Sequence, residues 1–344
     1  MMKKYLLTAL TAALILTGCS KENGVSADSS TESSTSSSTS EAVSSDNSTT
    51  ESSTSGESGT SEYVPGERDE NGVYVVDGYA AKLEYPLNEK NIKYAASRFS
   101  YVYEQYLKEK GSNVFVTVVP DKNYFLAKEN GYPSLDYNEL AELLTKQMDY
   151  AKYIDIYPML ELSDYYRTDT HWRQEKIVDI AQFIAGEMGV SLSAEYSQTT
   201  LPEPFYGVHC RQAEISVELD ELIYLENSVL SECKVLDGET NSYIDVYNLA
   251  LYDSKDPYEI FLSGAKSLLT IENPNATTDK ELLIFRDSFA SSIAPLFAEG
   301  YSKITLIDIR YLAPQLLGNF VTFNGQDVLF LYSAPVLNNS VTFK

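Results

Sequence analysis

Two short stretches of the chain combine residue types that could carry out acyl transfer. In the first, Asp287 and Ser288 follow an apolar run, at the point where a helix is expected to begin. At a helix start, unpaired backbone N–H groups can stabilise the oxyanion that forms when a serine attacks a carbonyl carbon. Serine and aspartate are also common N-terminal caps of helices, so a capping role is the simpler alternative.

The second stretch, Thr168-Asp169-Thr170-His171-Trp172, holds one of the two histidines in the chain. A histidine that deprotonates a serine needs a carboxylate to orient its other nitrogen and to stabilise the imidazolium. In a short non-helical segment Asp169 can lie on the same side as His171 and reach it. The alternative is a capping aspartate beside a surface histidine. Both stretches fall at the same predicted edge of one sheet, which favours a triad of Ser288, His171 and Asp169.

Apolar periodicity predicts the elements that position these stretches. The helices are expected at 91–110, 137–150, 172–189 and 289–299, with a helical turn or two at 311–317. The strands are expected at 114–119, 153–157, 282–285, 304–307 and 328–332. Strands separated by helices predict an α/β fold with a mostly parallel sheet and helices on both faces. Ligands bind at the carboxyl ends of the strands in such sheets.

The middle of the folded region, residues 193–265, has a different character. It is polar, carries short strand-like pieces and shows no helical period. This pattern predicts an insertion or a strand-rich flap within a folded region that spans 67–344.

The first residues have the layout of an export signal. Lys3 and Lys4 precede the apolar run 5–15, which is too short for a stable membrane span, and Leu16-Thr17-Gly18-Cys19 closes it. The closing tetrapeptide resembles the bacterial lipobox, which implies cleavage after residue 18 and lipidation of Cys19. An ordinary signal peptide with a chance cysteine is the alternative. Lipid chains on Cys19 would anchor the protein to the cell membrane on its extracytoplasmic side.

The residues that follow, 19–66, are mostly Ser and Thr with scattered acidic residues. Such a segment has little apolar surface to bury, so it is predicted to be a disordered linker. It would let the folded region reach through a layer of surface polymer.

Charge and cysteine content exclude several classes of protein. A formal net charge of -24 argues against nucleic acid as a partner. Cys210 and Cys233 can form a disulfide or remain two thiols, and the sequence favours neither. With only two histidines and no paired ligand spacing, no metal site is predicted, and no cofactor is expected.

The residues of both stretches resemble the DHHW protein family, which is related to SGNH-like proteins that acetylate alginate and other surface polysaccharides. The resemblance runs from about Val73 to Val336. It rests on the stretch 168–172, on Phe-Arg-Asp-Ser-Phe-Ala-Ser-Ser at 285–292, on Ile-Asp-Ile-Arg-Tyr-Leu at 307–312 and on Val-Val-Pro-Asp-Lys-Asn at 118–123. It implies an SGNH-like α/β/α sandwich in which Ser288 is the nucleophile, His171 its general base and Asp169 the orienting carboxylate.

The resemblance also implies substrate contacts, each with an alternative. Arg310 matches a family arginine near the site, but it could instead form a salt bridge with Asp308. Lys122 could contact an anionic substrate or cap the end of a strand, and Trp172 could stack on a sugar or serve in packing.

The chain departs from the family pattern at three places. Thr170 stands where the signature has histidine, and Arg286 stands where SGNH hydrolases have glycine. Arg173 and Gln174 replace the usual Gly-Ala pair, which alters close packing under the histidine.

The sequence therefore predicts a cell-surface lipoprotein that acts as a serine-dependent esterase or O-acyltransferase on extracytoplasmic glycans. A cell-surface polysaccharide would be its partner, together with a membrane-bound O-acyltransferase that supplies the acyl group. The alternative is a non-catalytic surface lipoprotein that binds glycan or protein and keeps an idle SGNH-like site.

Overall fold

A computed structural model describes residues 68–213 and 215–344, so the signal peptide, Cys19 and the linker predicted over 1–66 lie outside the described residues. The strands are β1 (Val73–Val76), β2 (Tyr79–Lys82), β3 (Val114–Val119), β4 (Lys152–Tyr153), β5 (Ser197–Thr200), β6 (Ile223–Glu226), β7 (Lys234–Asp237), β8 (Ser242–Ile244), β9 (Leu268–Glu272), β10 (Glu281–Arg286), β11 (Lys303–Ile307) and β12 (Asp327–Ser333). The helices are α1 (Glu89–Val102), α2 (Asn123–Leu126), α3 (Tyr137–Thr145), α4 (Val178–Glu187), α5 (Val208–Gln212), α6 (Ser228–Glu232), α7 (Ala290–Ile293) and α8 (Ala334–Asn338).

The central sheet has eight strands in the order β4-β3-β12-β10-β11-β9-β7-β8. The first five run parallel to one another. Their carboxyl ends therefore meet at one edge, and this edge receives the loops after β3, β10, β11 and β12. The α/β class predicted from the sequence is confirmed, with β3 and β10 to β12 close to the predicted strand positions.

The expectation of a mostly parallel sheet holds only for this half, because β9, β7 and β8 pair antiparallel. The connections explain the difference. A parallel pair needs a crossover of a dozen residues or more, whereas antiparallel strands can follow short connections. β7 and β8 form a hairpin across the short turn 238–241, and the chain returns from β9 to β10 through 273–280 without a helix.

Burial shows that both faces of the sheet are covered, as in an α/β/α sandwich. Every residue of β3 and β12 is buried, which is typical of parallel strands packed on two sides. On one face, α1 packs Phe99 against Phe330 and Tyr332. Asn88 caps α1 by accepting a hydrogen bond from the backbone N–H of Asn91 at 3.1 Å.

All four longer predicted helices differ from those observed: the one predicted at 137–150 ends at Thr145, and the one at 289–299 is helical over Ala290–Ile293 with a 3₁₀ turn at Ala294–Phe297. The segment predicted at 91–110 is helical, but its last turns are a π turn and a 3₁₀ turn that end at Gly111 with φ 71°. The helix predicted from Trp172 begins only at Val178, because Arg173 is extended and Gln174–Lys176 form a separate 3₁₀ turn. The extended backbone lets Trp172 and Gln174 send their side chains toward the helix that follows Ser288.

The middle segment 193–265 is strand-rich, but much of it is not a separate flap. β5 and β6 form a two-stranded sheet of their own, whereas β7 and β8 extend the central sheet. Within the described residues, no helix is long and apolar enough to cross a membrane.

Candidate active site

Ser288 lies in the turn between β10 and α7, at the carboxyl edge of the parallel strands. The fully buried Asp287 holds this turn in place. One of its carboxylate oxygens accepts the backbone N–H of Phe289 at 3.0 Å. The other accepts both the backbone N–H and the hydroxyl of Ser333 at 2.7 Å. Asp287 thus ties the serine turn to the end of β12.

His171 links Ser288 to Asp169, although 117 residues separate the histidine from the serine. Its Nε2 lies 2.7 Å from Ser288 Oγ, and its Nδ1 lies 2.6 Å from Asp169 Oδ1. The backbone N–H of His171 donates to the same carboxylate oxygen at 3.0 Å. The structure therefore brings together the three residues that the sequence proposed, in the order Ser288, His171 and Asp169.

The surroundings of Asp169 keep it ionised. Burial disfavours the charged form, but the His171 ring and the backbone N–H groups of Val208 and His171 outweigh that cost and hold the pKa of Asp169 well below its usual range. The Val208 N–H donates to Oδ2 at 2.7 Å. An ionised Asp169 favours the His171 tautomer with its proton on Nδ1, which leaves Nε2 free to accept the proton of Ser288.

Residues of the middle segment hold the loop that carries Asp169. The buried carboxylate of Asp220 accepts the backbone N–H groups of Arg167 and Thr168 at 2.8 and 2.7 Å, and the Thr168 hydroxyl at 2.6 Å. Gly207 passes so close that an added Cβ would lie 2.4 Å from Asp169 Cβ and from the Thr168 carbonyl. No local sequence signal marked Gly207, Val208 or Asp220, because their partners lie far away in the chain.

Lys122 supports the same loop from the end of β3. Its ammonium is buried and donates to the carbonyls of Tyr166 and Arg167 at 2.8 and 3.2 Å. Burial lowers the pKa of Lys122 to about 8, opposed by the nearby carboxylates of Asp169 and Asp220. The two roles predicted for Lys122, contact with an anionic substrate and capping of a strand, did not include these two carbonyls.

A cavity of about 190 Å³ opens beside this loop and is also lined by Lys122. Thr170 and Val208 line it together with Glu84 and His209, and the Val208 N–H is the group that donates to Asp169. Burial, helped by the neighbouring Lys122 ammonium, lowers the pKa of His209 to about 3, so His209 is neutral. Its Nδ1 has no hydrogen-bond partner among residues 68–213 and 215–344.

Trp172 and Arg310 have partners that favour the structural alternatives. The indole of Trp172 is fully buried, and its N–H donates to the Phe289 carbonyl and the Ser292 hydroxyl, both at 3.0 Å. A side chain without exposed surface cannot stack on a sugar, so Trp172 is a packing residue. Arg310 forms a two-pronged ion pair with Asp308, at 2.6 Å for its closest contact.

The departures from the family pattern are accommodated by hydrogen bonds. The buried Arg286 donates to the Ser291 hydroxyl at 2.6 Å and to the carbonyls of Gly264 and Lys266 at 3.3 Å. Gln174 donates to the Ser292 carbonyl at 2.7 Å and accepts the Leu225 N–H at 2.8 Å. Both side chains therefore connect the turn of Ser288 to more distant segments.

The expectation that helix N–H groups would hold an oxyanion needs correction. The backbone N–H groups of Phe289 and Ala290 donate to Asp287, to its carboxylate at 3.0 Å and its carbonyl at 3.3 Å. Both N–H groups are therefore already used in hydrogen bonds to Asp287 that hold the turn together. Cys210 and Cys233, for which pairing was left open, are both free.

No protein-family model matches the sequence, and no curated protein matches it. Solved structures do share its fold. A DHHW family protein from Eubacterium siraeum is 23% identical with a TM-score of 0.62, over 78% of this chain and 93% of that one. PatB1 of Bacillus cereus with a sulfonyl adduct is 18% identical with a TM-score of 0.61, over 77% and 95% of the two chains. A second structure of PatB1 has a TM-score of 0.55 at 18% identity, over 77% and 96% of the two chains.

These similarities extend over most of the described chain and nearly all of each compared structure. The α/β/α fold implied by the sequence resemblance to the DHHW family is confirmed in this way.

Proposed function

We propose that the protein is a serine-dependent esterase or O-acyltransferase in which Ser288 is the nucleophile, His171 the general base and Asp169 the orienting carboxylate. The observation that carries the proposal is the continuous chain of contacts from Ser288 Oγ through both ring nitrogens of His171 to Asp169, at 2.7 and 2.6 Å. A nucleophile and base within hydrogen-bond reach, with the base oriented by a third group, is the arrangement that acyl transfer requires.

The reaction would take place in two steps. Ser288 Oγ attacks the carbonyl carbon of an ester while its proton moves to His171 Nε2. The tetrahedral intermediate then expels the alcohol, which receives that proton, and the acyl group remains on Ser288. In the second step water or a sugar hydroxyl attacks the acyl-enzyme and gives its proton to His171. The bond between the acyl carbon and Ser288 Oγ then breaks, His171 returns the proton to Oγ, and the acyl group leaves as the acid or the new ester.

The backbone N–H of Ser288 itself is our candidate donor for the oxyanion, because those of Phe289 and Ala290 are engaged by Asp287. A preformed N–H donor aimed at the developing negative charge would stabilise both tetrahedral intermediates.

We further propose that the substrate is a glycan outside the cytoplasm, held in the cavity beside Thr170. The cavity offers hydrogen-bond donors, such as the Lys122 ammonium, and acceptors, such as the Glu84 carboxyl, which suits a hydroxyl-rich ligand. The predicted lipid anchor at Cys19 and the linker to residue 66 would keep the site near cell-surface polymer. Acyl transfer there needs an activated donor, for which a membrane-bound O-acyltransferase is the proposed partner.

The sulfonyl adduct on PatB1 supports the use of a chemical probe. Sulfonyl fluorides react with activated serine hydroxyls, so phenylmethylsulfonyl fluoride should modify Ser288 in this protein. Mass spectrometry of the digested protein would identify the modified peptide, and modification of Ser288 alone is the expected result.

The decisive experiment is hydrolysis of p-nitrophenyl acetate by the full-length protein. Ser288→Ala should lower the rate by about 10³-fold or more, since it removes the nucleophile. Ser302→Ala is a matched control, because Ser302 lies just before β11 at the opposite edge of the sheet. Equal rates for wild type and Ser288→Ala would reject the esterase and leave a binding protein with an idle site.

A further inference from the structure

The ring of Tyr258 lies flat against the ring of His171. The two ring centroids are 3.8 Å apart and the ring planes differ by 5°. Tyr258 belongs to the 3₁₀ turn Pro257–Ile260 near the end of the middle segment, far in sequence from both triad stretches. It is buried, with 4% of its surface exposed. The middle segment therefore covers one face of the base.

A second contact fixes the orientation of Tyr258. Its hydroxyl donates to Ser292 Oγ at 2.9 Å, and the same oxygen accepts the indole N–H of Trp172 at 3.0 Å. Burial raises the pKa of Tyr258 far above its ordinary value, so the hydroxyl stays protonated and remains a donor. Ser292 thus joins the residue stacked on His171 to the residue that follows His171 in the chain.

We infer that Tyr258 is a positioning residue that fixes the ring plane of His171 and stabilises its imidazolium form during proton transfer. The inference rests on the proposed function, because it assigns Tyr258 a role in the same reaction. Two physical effects support it. A ring packed flat against the imidazole prevents rotation away from Ser288, and the electron-rich face of a phenol attracts a cation placed over it.

Two substitutions separate the ring of Tyr258 from its hydroxyl. Tyr258→Phe keeps the stacked ring and loses the contact with Ser292, whereas Tyr258→Leu removes the aromatic face. We expect Tyr258→Phe to keep kcat for p-nitrophenyl acetate within about 3-fold. Tyr258→Leu should lower kcat by roughly 2- to 30-fold, the range expected for loss of a cation–π contact.

The pH dependence separates this role from simple packing. The imidazole of His171 faces Asp169 at Nδ1, Ser288 at Nε2, the Tyr258 ring and the side chain of Phe289, and it is coupled more weakly to the neutral His209. Of these groups, only Tyr258 changes in Tyr258→Leu, and Tyr258→Phe controls for the loss of its hydroxyl. Loss of a group that favours the cation should move the acid limb of the kcat profile to lower pH.

A magnetic-resonance titration tests the same contact without relying on activity. His171 and His209 are the only histidines of the chain, so both imidazoles can be followed in the full-length protein. The midpoint for His171 should move to lower pH in Tyr258→Leu and stay in place in Tyr258→Phe, with His209 as the internal reference.

Two results would overturn the inference. The first is a folded Tyr258→Leu protein with the wild-type kcat profile and the wild-type His171 titration. The second is an equal effect of both substitutions, which would assign the role to the hydroxyl and Ser292. If wild type shows no Ser288-dependent hydrolysis, the proposed function fails, while the titration still decides whether Tyr258 stabilises the imidazolium.

Discussion

The parallel half of the sheet and the middle segment 193–265 contribute to the site in different ways. The elements around the parallel strands supply the candidate catalytic residues, with Ser288 after β10 and His171 in the loop between β4 and α4. The middle segment supplies supporting contacts. The Val208 N–H donates to Asp169, the Asp220 carboxylate accepts from Thr168, and the Tyr258 ring stacks on His171. The difference teaches that a segment that contributes no member of the candidate triad can still determine whether the triad is assembled.

The comparison predicts different phenotypes for the two regions. Substitutions in the candidate triad should abolish ester hydrolysis and leave folding nearly intact. Substitutions in the supporting residues of the middle segment should reduce activity in proportion to how far they displace Asp169 and His171.

Among changes that leave Ser288 in place, the largest effect is expected for Asp169→Asn. An amide has one oxygen for the three N–H groups that Asp169 now accepts, and it cannot stabilise an imidazolium. We expect kcat for p-nitrophenyl acetate to fall by about 10⁴-fold, the order of loss that follows from the wrong histidine tautomer. Asp149→Asn, at an exposed position, is the matched control and should keep the wild-type rate. A loss of less than 10-fold in Asp169→Asn would contradict the triad assignment.

A smaller effect is expected for Gly207→Ala in the middle segment. The new Cβ would lie 2.4 Å from Thr168 backbone atoms and from Asp169 Cβ, so the loop must shift. A displacement of about 1 Å at a catalytic group can cost on the order of 10²-fold in rate, and we expect a fall in kcat of that size.

The control for Gly207→Ala is Gly186→Ala, an exposed helical position where an added Cβ meets nothing within 4 Å. This control should leave kcat unchanged and slightly raise thermal stability, because alanine favours helix. If both variants keep the wild-type rate, the close approach of Gly207 is not what places Asp169.

The smallest effect is a change in stability, expected for Glu84→Gln in the wall of the proposed substrate cavity, outside both regions. Burial and the Asp121 carboxylate raise the pKa of Glu84 from 4.5 to about 7, while Lys82 opposes them. A raised folded-state pKa means that the stability gained from protonated Glu84 is present below pH 4.5 and lost as pH rises to about 7.

Glu84→Gln removes this loss, so the variant should be more stable than wild type at pH 8 by about 1–3 kcal/mol. The difference should disappear near pH 4, where Glu84 is protonated in both states. Urea unfolding at the two pH values measures it. An equal difference at both values would show that ionisation of Glu84 is not the cause.

The sequence was informative where the signal is local. β3 is a continuous β-branched run and was predicted at its observed bounds, 114–119. Asp169 and His171 are two residues apart, so the backbone alone brings the carboxylate to the imidazole. The rule that parallel strands share a carboxyl edge then placed Ser288 beside them. The antiparallel half was not predicted, since β7 and β9 are short and partly polar and their pairing depends on distant strands.

Residue types and short spacings by themselves determined the α/β class and the three members of the candidate triad. Only the tertiary structure decided what surrounds them. Asp220, Gly207 and Tyr258 resemble ordinary loop residues in sequence, and each acquires its role from a contact with the stretch 168–171. Trp172 and Arg310 matched a functional pattern, but burial and an ion pair gave them structural partners. The physical reason is that burial, close approach and ring stacking depend on distances between residues that are remote in the chain.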